Sequence, residues 1–305
     1  MNPLIKKLIK SLNSVEALPF PEASDHCLPK NLIEKGIKNI NYYDDIKILV
    51  LNKRTEVFHT IIYLLQNNWT VEQINKSLFY IKIGSDFVPQ LYQFGLKPTR
   101  LYKNVDDFIQ GTIEMNFDVI LQNPPYSEKV GPKKTEPIWQ IFVLKMLKLL
   151  KEDGMMLSIH PTGWRAPQTE RSKFKEVQKV YLENQLLFLS MNDYQAGNKT
   201  FGVGTAYDVV IVKNKKNDDS ILCEVENSSG EKCQINLNTM EFIPEGSFDT
   251  FLDLLPKEGE EKIDLLYSRS AYGSDKNNMS HEKDKTHIHP CVYTIGKSGE
   301  PRLMF

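Results

Sequence analysis

Residues 117–122 (FDVILQ) form a short, nearly all-apolar run. A segment this short that does not alternate between apolar and polar positions predicts a β-strand buried on both faces. That in turn requires a mostly parallel sheet covered by helices on either side. The rest of the chain fits this demand, because from residue 46 short apolar runs alternate with longer helical patterns. Residues 46–51 (IKILVL) predict a strand, 55–66 (TEVFHTIIYLLQ) an apolar helix and 78–83 (LFYIKI) a second strand. A short helix over about 86–94 and a weak strand near 100–103 follow. Beyond the central run, 138–150 (IWQIFVLKMLKLL) predicts a helix with Lys145, Lys148 and Lys151 toward water and Gly154 at its C-cap. A strand at 155–159, a polar helix over about 169–184 and strands at 186–190 and 207–213 (YDVVIVK) complete the series.

The flanks read differently. Leu4, Ile5, Leu8, Ile9 and Leu12 among Lys6, Lys7 and Lys10 predict an amphipathic helix that packs on the domain. After Lys213 the charged cluster Asn214-Lys215-Lys216-Asn217-Asp218-Asp219 resembles a linker, and β-rich pieces with Gly and Asn turns follow it. The expected organisation is therefore an N-terminal helical extension (1–45), an α/β domain (46–215) and a smaller β-rich region (216–305) that ends in what looks like the opening of a strand. With 41% hydrophobic and 25% charged residues the chain is expected to fold. A formal charge of -1 exerts no global pull on nucleic acid, so any such contact must come from local basic patches. No apolar stretch is long enough to span a membrane and no signal-peptide core opens the chain, which points to the cytoplasm. Cys27, Cys223, Cys233 and Cys291 lack paired spacing and read as free thiols. His281, His287, His289 and Cys291 lie in a polar run that reads as a solvated loop, so no metal is expected.

Chemistry concentrates at Asn123-Pro124-Pro125-Tyr126. Open α/β sheets bind ligands beyond the carboxyl ends of their strands, and these four residues follow the most buried strand. The amino group of an aromatic base is a poor nucleophile because its lone pair is delocalised into the ring. Two acceptors on its two N–H bonds localise that pair for attack on a methyl donor. The Asn123 side-chain oxygen and the Pro124 carbonyl can supply them, since successive prolines fix the backbone and remove competing N–H donors. Tyr126 supplies a flat surface for base stacking, worth about 1–3 kcal/mol in general.

FDVILQNPPY resembles the catalytic motif of S-adenosylmethionine-dependent amino-methyltransferases with a Rossmann-like fold. NPPY stands there in N6-adenine DNA methyltransferases of restriction-modification and phage type. It also stands in release-factor glutamine methyltransferases and some ribosomal RNA guanine-N2 enzymes. The resemblance extends over about residues 45–215: Asp107-Phe108 resembles the pair that contacts the cofactor's adenine, 158–165 (SIHPTGWR) a following strand and turn, and 201–212 (FGVGTAYDVVIV) the loop and closing strand. It implies Asn123, Pro124, Pro125 and Tyr126 as catalytic residues, S-adenosylmethionine as cofactor and double-stranded DNA as partner, with the target base rotated out of the duplex. A partner subunit or a restriction nuclease would accompany the chain, and the region after 215 would begin target recognition. The pattern departs from the family after the first strand, where Asn52-Lys53-Arg54-Thr55-Glu56 contains no glycine and Lys53-Arg54 would crowd a sulfonium. Asp86 is the one candidate acid for the cofactor ribose. Lys129, Lys133 and Lys134, with Arg165 and Arg171, are the candidate phosphate contacts. Two alternatives stay open: a DNA-binding or regulatory protein that has lost transfer activity, and an NPPY-type RNA or protein methyltransferase.

Overall fold

A computed structural model describes residues 2–18, 27–38, 40–102, 105–112, 114–132, 134–240, 242–246, 248–254, 259–260, 279–295 and 300–305. It divides into two compact units, Met1–Asp249 and Thr250–Phe305. In the first unit, helices α1 (Pro3–Glu16) and α2 (Lys30–Ile37) precede β1 (Ile48–Asn52), α3 (Glu56–Gln66), α4 (Val71–Ser77), β2 (Leu78–Lys82), β3 (Thr99–Arg100) and α5 (Val105–Gln110). The chain continues through β4 (Phe117–Gln122), the small hairpin β5 (Ser127–Lys129) and β6 (Thr135–Pro137), α6 (Trp139–Lys148), β7 (Leu150–Pro161), α7 (Lys175–Glu183), β8 (Asn184–Asn192), α8 (Tyr194–Phe201) and β9 (Tyr207–Lys216). Strands β10 (Cys223–Asn227) and β11 (Lys232–Ile235) close the series.

The nine-stranded sheet runs β11-β10-β8-β9-β7-β4-β1-β2-β3. β3, β2, β1, β4 and β7 are mutually parallel, whereas β9 is antiparallel to both β7 and β8. The chain leaves β1 toward β3 and returns to β4 on the opposite side, so the strand order reverses between β1 and β4. Open α/β sheets bind their ligands at the carboxyl ends of the strands flanking such a reversal.

Apolar residues on the two sheet faces form two cores. One gathers Leu8 and Leu12 of α1, Ile33 and Ile37 of α2, and Phe58 and Ile61 of α3 over Val50 and Leu121. The other gathers Phe108, Phe142, Met146, Val177 and Tyr181 over Leu49 and Ile120. The expected α/β class with helices on both faces is thus observed, and the expected central strand is β4, buried at five of its six positions.

The expected boundaries are corrected by the packing. Residues of α1 and α2 belong to the first core, so the N-terminal helices are part of the domain. The charged cluster at 214–219 is a surface connection inside one sheet: β9 runs to Lys216, and β10 then pairs parallel with β8. Val225, Ile235, Leu237, Met240, Ile243 and Phe248 complete the second core. A solvated turn and an interdomain linker select the same residue types, which is why composition misplaced the border. Gly154 does not cap α6, which ends at Lys148 with Leu149 as its C-cap. It lies in β7, where an added Cβ would meet the carbonyl oxygens of Phe117 and Lys151, each at 3.0 Å. The strand register shifts there between Phe117 and Val119. In the second unit β12 (Cys291–Ile295) pairs antiparallel with β13 (Pro301–Met304). Among the described residues no helix is long and apolar enough to cross a membrane.

Candidate active site

The parallel register Val50↔Leu121 sets the ends of β1 and β4 side by side, so the loops after Asn52 and after Gln122 face each other. Asn123 is buried at 1% exposure. Pro124 is buried as well, and Pro125 and Tyr126 are half-buried. The Tyr126 carbonyl accepts a hydrogen bond from Ile138 N (3.1 Å), which ties the turn to the start of α6. Tyr126 packs against both cores. Its hydroxyl is buried with no hydrogen-bond partner among the described residues, and burial, reinforced by Tyr207 and Asp208, pushes its pKa well up. As folded, Tyr126 therefore turns inward, in contrast to the open stacking surface expected from the motif.

The loop opposite is closed by its own side chains. Asn52, Lys53, Arg54, Thr55 and Glu56 are all at most 4% exposed. The Glu56 carboxylate accepts from the backbone amides of Lys53 (3.0 Å) and Arg54 (2.9 Å) with one oxygen and from Leu28 N (2.9 Å) with the other. The Arg54 guanidinium donates to the carbonyls of Val15 and Leu18, both at 2.6 Å, and so pins the end of α1. The Lys53 ammonium lies 5.9 Å from the centre of the Tyr126 ring. The crowding expected from Lys53-Arg54 thus resolves into two roles: Arg54 turns away to α1, and Lys53 covers the turn after β4.

The other expected cofactor residues are engaged elsewhere. Asp86 accepts from Val88 N (3.1 Å) and pairs with Arg100 (3.4 Å). Asp107 is exposed on α5, whereas Phe108 is fully buried and packs edge-on against Tyr102 and beside Phe142. Lys145 reaches back to the carbonyls of Phe108, Ile109 and Gly111, fixing the end of α5.

The expected phosphate contacts separate as well. Arg165 is 5% exposed and pairs with buried Asp208 (2.9 Å), a structural ion pair that corrects its assignment to nucleic acid. The cause is a buried cluster at the carboxyl end of β7: Trp164 also donates to Asp208 (2.8 Å), and His160 stacks on Trp139 at 4.5 Å and bonds the Tyr181 hydroxyl at 2.9 Å. Burial holds the Asp208 pKa up at about 6, despite the opposing pull of Arg165, and pushes His160 down to about 4. Lys134 pairs with Glu136 (2.7 Å), which also holds Lys173 (2.8 Å). Lys129 and Arg171 are exposed, and Lys133 lies outside the described residues.

A cavity of about 840 Å³ opens beside the β1 loop, lined by Arg54, Thr55 and His59 and by the α8 end at Phe201 and Gly202. A smaller one of about 310 Å³ lies over the ends of β8 and β10, with Arg165, Asn192 and Asn227 in its wall. Neither is lined by Asn123 or Tyr126. Glu56 and Asp208 were missed by sequence reasoning, although a single acid inside the apolar run YDVVIVK and an acid opening α3 were the available signals.

Residues 62–201 match the family model described as Eco57I restriction-modification methylase. The match contains FDVILQNPPY and bears out the restriction-modification resemblance over that segment. A chain from a solved type I restriction-modification system is similar at 12% identity and a TM-score of 0.53, with 82% of this chain and 54% of that chain covered. A modification subunit assigned to a type I restriction enzyme of Vibrio vulnificus is similar at 13% identity and a TM-score of 0.50, with 97% of this chain and 61% of that chain covered. The chain thus spans little more than half the length of these structures, and at such identities the likeness establishes the fold. No curated protein matches the sequence.

Proposed function

We propose that this chain carries the core of a restriction-modification DNA methyltransferase that transfers a methyl group from S-adenosylmethionine to N6 of adenine in a base rotated out of the duplex. The observation that carries the reading is the seat of Asn123-Pro124-Pro125-Tyr126 at the carboxyl end of the central strand, beside the point where strand order reverses. The family match over 62–201 supports the reaction class. In this reading the Asn123 side-chain oxygen and the Pro124 carbonyl accept the two amino N–H bonds, and Tyr126 turns outward to stack on the base. Exposed Lys129 and Arg171 hold phosphates, and the second unit contributes to target recognition with a partner subunit or nuclease. The similarity to a chain of a type I restriction-modification system characterised for its complex assembly supports such a partner.

The donor side does not fit as folded. The loop 52–56 has no glycine, its amides at 53 and 54 are taken by Glu56, and Asp86 is committed to Arg100. This closure favours a second reading, a DNA-binding or regulatory protein without transfer activity. Incubating the full chain with tritiated donor and, separately, DNA, RNA and protein distinguishes the two. Label in DNA is expected; label only in RNA or protein refutes the DNA assignment, and no label in any of the three supports the second reading.

A further inference from the structure

A base leaves a duplex only when its neighbours are unstacked, and proteins that deform DNA achieve this by driving an apolar side chain between base steps. The hairpin of β5 and β6 is built to carry such a side chain. It leaves the motif turn at Tyr126 and returns at Ile138, and the Tyr126 carbonyl accepts from Ile138 N (3.1 Å), so its base is pinned to that turn. Its strands pair with each other in a sheet of their own, and every residue from Ser127 to Val130 is exposed. A two-stranded ribbon fits the major groove. At about 3.3 Å per strand residue, the four steps from Tyr126 to Val130 span roughly 13 Å, more than the groove depth of about 8 Å.

The tip of the ribbon is apolar. Val130 is 45% exposed, and its amide donates to the Lys134 carbonyl (3.0 Å), which closes the turn. At Gly131 an added Cβ would meet nothing within 4 Å. An exposed valine is ordinary in itself, but this one ends a ribbon anchored at the motif turn. Lys129 is exposed beside it, on the ribbon face opposite Glu128. Glu136, the register partner of Glu128, already holds Lys134 and Lys173.

We infer that Val130 is a wedge that enters duplex DNA where a base has been displaced. The inference rests on the DNA reading above and goes beyond it, since insertion needs neither donor nor methyl transfer.

The test is fluorescence anisotropy at low salt, using the full chain and two labelled duplexes of one sequence, one intact and one with a single abasic site. An abasic site removes the unstacking cost and offers the gap directly, so the wild type is expected to bind it about tenfold or more tightly than the intact duplex. Val130→Ser should bring that ratio close to one, whereas Val130→Ile keeps it. Lys129→Ala should weaken binding to both duplexes alike and leave the ratio in place, which separates charge from insertion. A wild type without preference, or a preference unchanged in Val130→Ser, overturns the inference and leaves the DNA reading standing. Failure of the wild type to bind either duplex overturns both.

Discussion

Buried polar side chains, more than the apolar ones, decide how the carboxyl edge of this sheet is built. Asp208 and His160 occupy one aromatic cluster and titrate in opposite senses. The raised pKa of Asp208, about 6, means that the folded state binds its proton more readily than the unfolded chain does. Its contribution to stability is full below the unfolded value and is lost as pH rises toward 6. The lowered pKa of His160, about 4, works the other way: its contribution is full above the unfolded value near 6.5 and is lost as pH falls toward 4. Replacing His160 with Phe should therefore reduce the stability lost between pH 7 and pH 5, read from urea midpoints at the two pH values; an undiminished loss would contradict the assignment. The motif 123–126 was legible because its chemistry depends on residue type and on the strand before it. The inward turn of Tyr126 was not, because it is set by Lys53 and by both cores, which are remote in sequence.

Among the elements, β4 was read at its full length, since a strand buried on both faces leaves a run with no polar alternation. Helix α4 went unread because its seven residues bury only Ile74 and Ser77, although Thr70 and Gln73 form a capping box at its start. The placement of α2 depends on Gly36, where an added Cβ would lie 2.7 Å from Leu121 and 3.0 Å from Leu157, both in the sheet. Alanine gains about 0.5–1 kcal/mol of helix preference over glycine, but overpacking a tight core costs about 1–3 kcal/mol. Gly36→Ala is accordingly expected to lower stability by roughly 1 kcal/mol in equilibrium denaturation, and an equal or higher midpoint would show that α2 is not held this closely.

At the scale of the molecule, the alternation of strands and helices gave the α/β class, while the limits of the folded unit depended on contacts that composition does not encode. A chain ending at residue 215 lacks β10, β11 and the apolar residues from Val225 to Phe248. A chain ending at 249 keeps the whole first unit. The longer fragment should unfold in one cooperative transition followed by circular dichroism, and the shorter should show none; a cooperative 1–215 fragment would restore the border near 215. The proposed reaction requires Asn123 and Pro124 to hold an adenine amino group for methylation. It is tested most directly by digesting DNA treated with the wild type and with Asn123→Ala, then quantifying N6-methyladenine by mass spectrometry. The wild type should yield N6-methyladenine, and the variant about 100-fold or more less with its circular dichroism unchanged. Equal methylation by the two proteins would contradict it.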